Sequence, residues 1–109
     1  METVTLEQRR RFSAEKMQKC SLFDSDKCFI DQYCLLPGQA QKIHSHASED
    51  KVYIVLVGEA VCHVAGEEQV LKAGEACIAR ATEAHGIRND SDENVVALVV
   101  MAPRPAPKA

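Results

Sequence analysis

From Cys20 onward the chain is cut into short runs rich in Val, Ile, Leu, Tyr and Cys, with Gly, Asp, Asn or Pro intervening roughly every eight to twelve residues. That rhythm constrains the fold more than any other feature. The runs are SLF (21–23), CFIDQYCLL (28–36), KIHSH (42–46), KVYIVLV (51–57), AVCHVA (60–65), EQVLKA (68–73), ACIAR (76–80), HGIRN (85–89) and VVALVVMA (95–102), and none has convincing helical spacing. Many short strands with frequent turns read as an all-β sandwich or small barrel. Gly58-Glu59, Gly66-Glu67 and Gly74-Glu75 recur at spacings of eight and read as successive turns of a β-meander.

The ends differ in character. Residues 3–19, TVTLEQRRRFSAEKMQK, are polar, contain no Gly or Pro, and carry apolar residues at spacings that fit neither helix nor strand. They predict an N-terminal arm or short helix over 1–19, ahead of a β-barrel over 20–103. Pro103, Pro105 and Pro107 lack the N–H that a ladder needs, so 104–109 is expected to leave the domain as a flexible Pro-rich tail.

At 109 residues and 46% hydrophobic content, the chain is sized for one compact domain. A net charge of −3, with no basic cluster longer than Arg9-Arg10-Arg11, argues against a nucleic-acid partner. No leader-like start and no apolar run near the ~18 residues of a bilayer span are present, so the expectation is a cytoplasmic protein without a membrane partner. The five cysteines, at 20, 28, 34, 62 and 77, include no C-x-x-C pair and read as reduced core residues.

Period 2 puts His44 and His46 on the same face of a strand, close enough to share one metal ion. His85, after the turn-like RATEA, supplies a third imidazole that a small barrel can bring to the same interior. His63 sits beside Cys62 in a run where alternation lets only one of the two face inward.

The segment Gly38-x5-His44-x-His46-x4-Lys51-x6-Gly58 resembles the first motif of the cupin superfamily, G-x5-H-x-H-x3-4-E-x6-G. Residues 74–89, GEACIARATEAHGIRN, resemble the second, G-x5-P-x-G-x2-H-x3-N, with Gly74, His85 and Asn89 in register. The resemblance spans roughly Ser21 to Pro103 and implies a small single-domain jelly-roll barrel of six to eight strands, dimeric as a rule. It further implies a divalent transition metal held near one mouth by three histidines and a glutamate. Carried over by position, His44, His46 and His85 are the histidines. Lys51 takes the glutamate's place, and an ammonium has no lone pair to donate.

Two readings of that substitution stand. Asp50 supplies the carboxylate if the strand slips by one residue, or the centre is built of three histidines alone. In the second motif Arg80 replaces the usual proline and Thr82 the usual glycine, which bears on the turn that presents His85. Arg80 is a candidate for an anionic ligand or a solvated rim residue. Lys51 either points inward, to hold a carboxylate or act as a base, or snorkels to solvent. Tyr53 shares its face, and Gln41 and Cys77 are candidate pocket neighbours.

A metal with three neutral imidazoles keeps its positive charge and favours a small polar or anionic metabolite. Iron or manganese would suit oxygen chemistry, and zinc or nickel isomerisation or hydrolysis. The candidate functions are a metal-dependent dioxygenase or isomerase/lyase and, alternatively, a non-enzymatic sensor or binding cupin with or without metal.

Overall fold

The computed structural model describes residues 1–105; residues 106–109, most of the predicted tail, lie outside the described residues. Nine strands follow in order among them: β1 Gln18–Asp24, β2 Phe29–Leu35, β3 Ala40–His44, β4 Asp50–Val57, β5 Glu59–Val64, β6 Glu67–Lys72, β7 Ala76–Ala79, β8 His85–Arg88 and β9 Val95–Ala102. Each overlaps one of the short runs of the sequence. They form two antiparallel sheets, one ordered β1-β2-β9-β4-β7 and the other β3-β8-β5-β6, packed face to face as a jelly roll.

The expected meander is not what the glycine turns build. Only Ala65-Gly66 closes a hairpin, β5 to β6, with both residues at positive φ (51° and 84°), as a two-residue turn between right-twisted strands requires. The turns at Gly58 and Gly74 instead carry the chain from one sheet to the other, since β4 and β7 belong to the first sheet and β5 and β6 to the second. The two crossings brace each other: the Ala73 N–H donates to the Gly58 carbonyl and the Gly74 N–H to that of Val55. A positive-φ glycine reverses the chain in either geometry, so spacing alone does not distinguish a hairpin from a crossing.

Alternation builds the core. Lys51, Tyr53 and Val55 of β4 point inward beside Val99 and Ala97 of β9 and Tyr33 and Leu35 of β2. Ala60, Cys62, Leu71 and Ile87 close the opposite face. A register shift between Val55 and Val57 then turns Val57 out to solvent.

The outer face of β1 and β2 is covered by the N-terminal arm, whose helical content among the described residues is a 3-10 turn at Glu7–Arg9. Buried Gln32, pointing away from the core, donates to the Leu6 carbonyl at 2.8 Å and accepts from the Arg10 Nε at 3.0 Å. These bonds replace water on a face that also buries Cys20, Cys34 and Val96. At the other end Arg104 pairs with Asp24 and its N–H donates to Lys27. All five cysteines are free, and Cys20, Cys34 and Cys62 are buried.

One irregularity positions the site. The β3–β8 register runs Gln41 to Ile87 and then His44 to His85, so β3 sets Lys42 and Ile43 against the single Gly86. Both extra residues are exposed, and parity is reset: Gln41 and His44, three apart, both face the interior.

Candidate metal centre

His44 ends β3, His85 opens β8 directly across the ladder, and His46 lies two residues past the strand end rather than on it. The three rings nonetheless converge. Their centroids are 4.6 Å (His44–His85), 4.9 Å (His44–His46) and 5.3 Å (His46–His85) apart, and one ligand nitrogen from each lies within 4.8 Å of the others. His85 is buried; the other two are half-buried, at the barrel mouth.

The hydrogen bonds fix which nitrogen of each ring is available. Nδ1 of His85 donates to the Glu83 carbonyl at 2.9 Å and Nδ1 of His44 to the Lys42 carbonyl at 2.7 Å, which leaves the Nε2 lone pairs free. Nε2 of His46 and of His85 are buried with no hydrogen-bond partner. An unpaired buried nitrogen is costly unless something accepts its lone pair, and a dication does so. The same burial keeps the rings neutral: desolvation lowers the pKa of all three, that of His85 to about 4. Three neutral imidazoles with converging lone pairs therefore fit a divalent transition metal.

The turn before His85 carries both departures from the family motif, Arg80 and Thr82. Thr82 adopts φ of 75°, the left-handed conformation in which a β-branched residue is strained and glycine is not. Four bonds hold it there. The Thr82 N–H donates to the His46 carbonyl at 2.7 Å and the Ala81 N–H to Asp50 Oδ1 at 2.8 Å; the Arg80 N–H donates to Glu83 Oε1 at 2.7 Å and the Glu83 N–H to the Arg80 carbonyl at 3.0 Å. The turn thereby ties His46 to His85. Asp50 is thus turned outward to brace this turn, and the register slip that would have brought it inward is not realised.

Lys51 points inward and is 1% exposed. Its Nζ donates to Gln41 Oε1 at 3.2 Å and lies 5.1 Å and 5.3 Å from the ring centroids of Tyr33 and Tyr53. Gln41 ties the group together: Oε1 also accepts from the Tyr53 hydroxyl at 2.8 Å, and Nε2 donates to the Tyr33 hydroxyl at 3.1 Å. Burial, with Lys19 adding to it and Asp31 opposing, pushes the Lys51 ammonium down to about 7. Burial likewise pushes both tyrosine hydroxyls up, so they stay neutral.

Gln41 and Tyr53 are therefore neighbours of the centre, the Tyr53 ring lying 6.2 Å from that of His85. Arg80 and Cys77 are not beside it. They line a separate cleft of about 380 Å³ with Cys62, bordered by none of the three histidines. Cys62 takes the inward position and His63 the outward one, 3.4 Å from Glu68. Asn89 is buried and closes its own turn through the Leu35 and Glu93 carbonyls.

Sequence reasoning missed Tyr33, Asp31 and Lys19. Alternation in FIDQYCLL puts Asp31, Tyr33 and Leu35 on one face, a readable signal, but that Lys19 stands opposite Tyr33 is known only from the β1–β2 register.

The pattern of the cupin domain matches residues 32–101, a span that holds all three histidines. The oxalate-binding protein of Thermotoga maritima is 34% identical over 67 residues, 62% of this chain; the chain spans about half that protein's length, 55%. Among solved structures, TT1209 from Thermus thermophilus superposes with a TM-score of 0.94 at 48% identity, covering 96% of this chain and 100% of that one. A predicted oxalate decarboxylase from Thermotoga maritima superposes with a TM-score of 0.76 at 26% identity over 80% of each chain. The two-sheet jelly roll, the converging histidines and the matched span agree: the chain belongs to the cupin family.

Proposed function

We propose that this cupin binds a divalent transition metal through His44, His46 and His85 and takes a small carboxylate anion at that centre. The observation that carries the metal reading is the pair of buried, unpartnered Nε2 atoms on His46 and His85 within the three-histidine cluster. Support for the anion comes from charge: among the described residues no carboxylate joins the cluster, and the position where the family motif has a glutamate holds Lys51. A relative named for binding oxalate points to the same ligand class.

A bound metal would supply Lewis acidity and a fixed positive charge. The chain's own residues do the rest. Backbone carbonyls of Lys42 and Glu83 hold two of the rings in the tautomer that presents Nε2. Tyr33, Tyr53 and Gln41 hold Lys51 in a desolvated interior, where it can accompany a carboxylate or exchange a proton near neutral pH.

The second reading is binding without turnover, and Lys51 favours it. A cation near the metal suits retention of an anion, whereas a carboxylate there would complete the family's usual ligand set. Elemental analysis of untagged protein, followed by calorimetric titration with oxalate, tests the proposal. About one metal ion per chain and metal-dependent heat of oxalate binding are expected; neither metal nor oxalate binding after exposure to Fe, Mn, Ni and Zn would overturn it. Oxygen-uptake and product assays on the loaded protein then separate an enzyme from a binding protein.

A further inference from the structure

Against His44 lies a cleft of about 660 Å³ that includes Gln41 in its wall and is lined by Lys16, Lys19 and Lys42, with no carboxylate among its lining residues. Lys51 stands just behind Gln41, bonded to its amide oxygen. Lys19 and Lys51 both lie over Tyr33, their Nζ atoms 5.6 Å and 5.1 Å from its ring centroid. Two ammonium groups, one from β1 and one from β4, therefore approach the same aromatic ring of β2.

None of these four lysines takes part in an ion pair among the described residues. Asp31, on the inward face of β2 with Tyr33, is the carboxylate whose charge opposes that of Lys51, and desolvation raises its pKa while Lys19 and Lys51 pull the other way. One desolvated carboxyl group does not balance four lysines. Exposed lysines of the fringe are ordinary; Lys51 is not. A buried ammonium that meets only a neutral amide and two aromatic rings is poorly compensated in the protein alone and well compensated once an anion lies against it.

We propose that Lys51 and Lys19, with Tyr33 between them, form a second anion subsite, and that the ligand is a short dicarboxylate with one end facing the histidines and the other held by these lysines. The proposal rests on the anion reading above and narrows it. A compact anion satisfies the histidine end alone. An extended dicarboxylate is sized to reach both, because His44 and Gln41 share one wall of the cleft, Lys19 lines it, and Lys51 is bonded to the Gln41 amide oxygen.

The test is calorimetric titration of the full-length untagged protein, metal-loaded and metal-free, with succinate and with butyrate, which keeps the chain length and lacks one carboxylate. Succinate is expected to bind at least about tenfold more tightly than butyrate, and Lys51→Met and Lys19→Met each to remove most of that preference at unchanged metal content. Exposed Lys19 serves as the variant whose folding is not at risk. Equal affinity for the two acids, or a succinate preference that survives both substitutions, overturns the subsite. Metal content measured on the same samples separates the two readings: a wild type that takes up no metal on loading yet still shows lysine-dependent succinate binding overturns the metal reading and upholds the subsite.

Discussion

His85 stands opposite His44 across the β3–β8 ladder, their ring centroids 4.6 Å apart, because a bulge after Gln41 resets the parity of β3. Each ring donates its Nδ1 proton to a backbone carbonyl two residues earlier in its own chain segment. The pair is thus oriented by main chain, not by neighbouring side chains that could drift. Replacing His85 by Gln should leave the fold in place and lower metal content from about one ion per chain to below about a tenth, since two imidazoles bind transition metals far more weakly than three. Elemental analysis beside circular dichroism checks both halves.

The metal-free protein should carry the signature of a desolvated histidine. His85 has its pKa lowered from 6.5 to about 4, so between those values the unfolded chain binds the proton and the folded chain resists it. Stability is therefore full above about pH 6.5 and is lost as pH falls toward 4. In chelator-treated wild type this should cost ~1 kcal/mol or more, about 4–8 °C in Tm, between pH 7 and pH 4.5. His85→Gln should show a shallower fall over the same window in thermal melts.

The strand order along the chain was legible because residues such as Lys51, Tyr53 and Val55 alternate and because glycine and polar residues end each run. Where the chain goes after a run was not. Gly58, Gly66 and Gly74 look alike in sequence, yet one closes a hairpin and two cross between sheets, a choice made by long-range pairing. The histidine triad was readable from motif spacing, while the bulge that makes it work has no marker in Gln41-Lys42-Ile43-His44. Alternation put Lys51 on the face of Tyr53 but left open whether its ammonium stays inside or snorkels to solvent; its partner Gln41 depended on the bulge. Lys19 reaches Tyr33 only through a pairing between β1 and β2 that no local pattern announces.

Thr82 offers a substitution that should stabilise. It is held at φ of 75° where the family motif has glycine, and its side chain makes none of the bonds that hold the turn, which come from the backbone and from Asp50 and Glu83. Relief of strain, of order 1–3 kcal/mol, should outweigh the ~0.5–1 kcal/mol entropic cost of glycine. Thr82→Gly is expected to raise stability by about 1 kcal/mol in urea melts without changing metal content. A destabilised Thr82→Gly protein would show that the turn is not strained as described.

Lys51 should add a rise of the same sign at the alkaline end of the pH profile. Its pKa falls from 10.5 to about 7 in the folded protein, so between pH 7 and 10.5 the unfolded chain holds the proton and the folded chain sheds it. The sign is therefore a penalty that is full below pH 7 and relieved as pH rises toward 10.5. Lys51→Met keeps the apolar stem against Tyr33 and Tyr53 and removes the charge, while Gln41 Oε1 still accepts from the Tyr53 hydroxyl. In chelator-treated, anion-free buffer the variant should be more stable than wild type at pH 6.5 by ~1–3 kcal/mol, with the advantage shrinking steadily by pH 9.5. Every other titrating group is common to the two proteins, so the difference between their urea-melt profiles reports this ammonium together with its influence on Asp31 and the three histidines. A difference that stays constant from pH 6.5 to 9.5 would mean that Lys51 keeps an ordinary pKa and that its surroundings are wetter than the packing of Gln41, Tyr33 and Tyr53 around it implies.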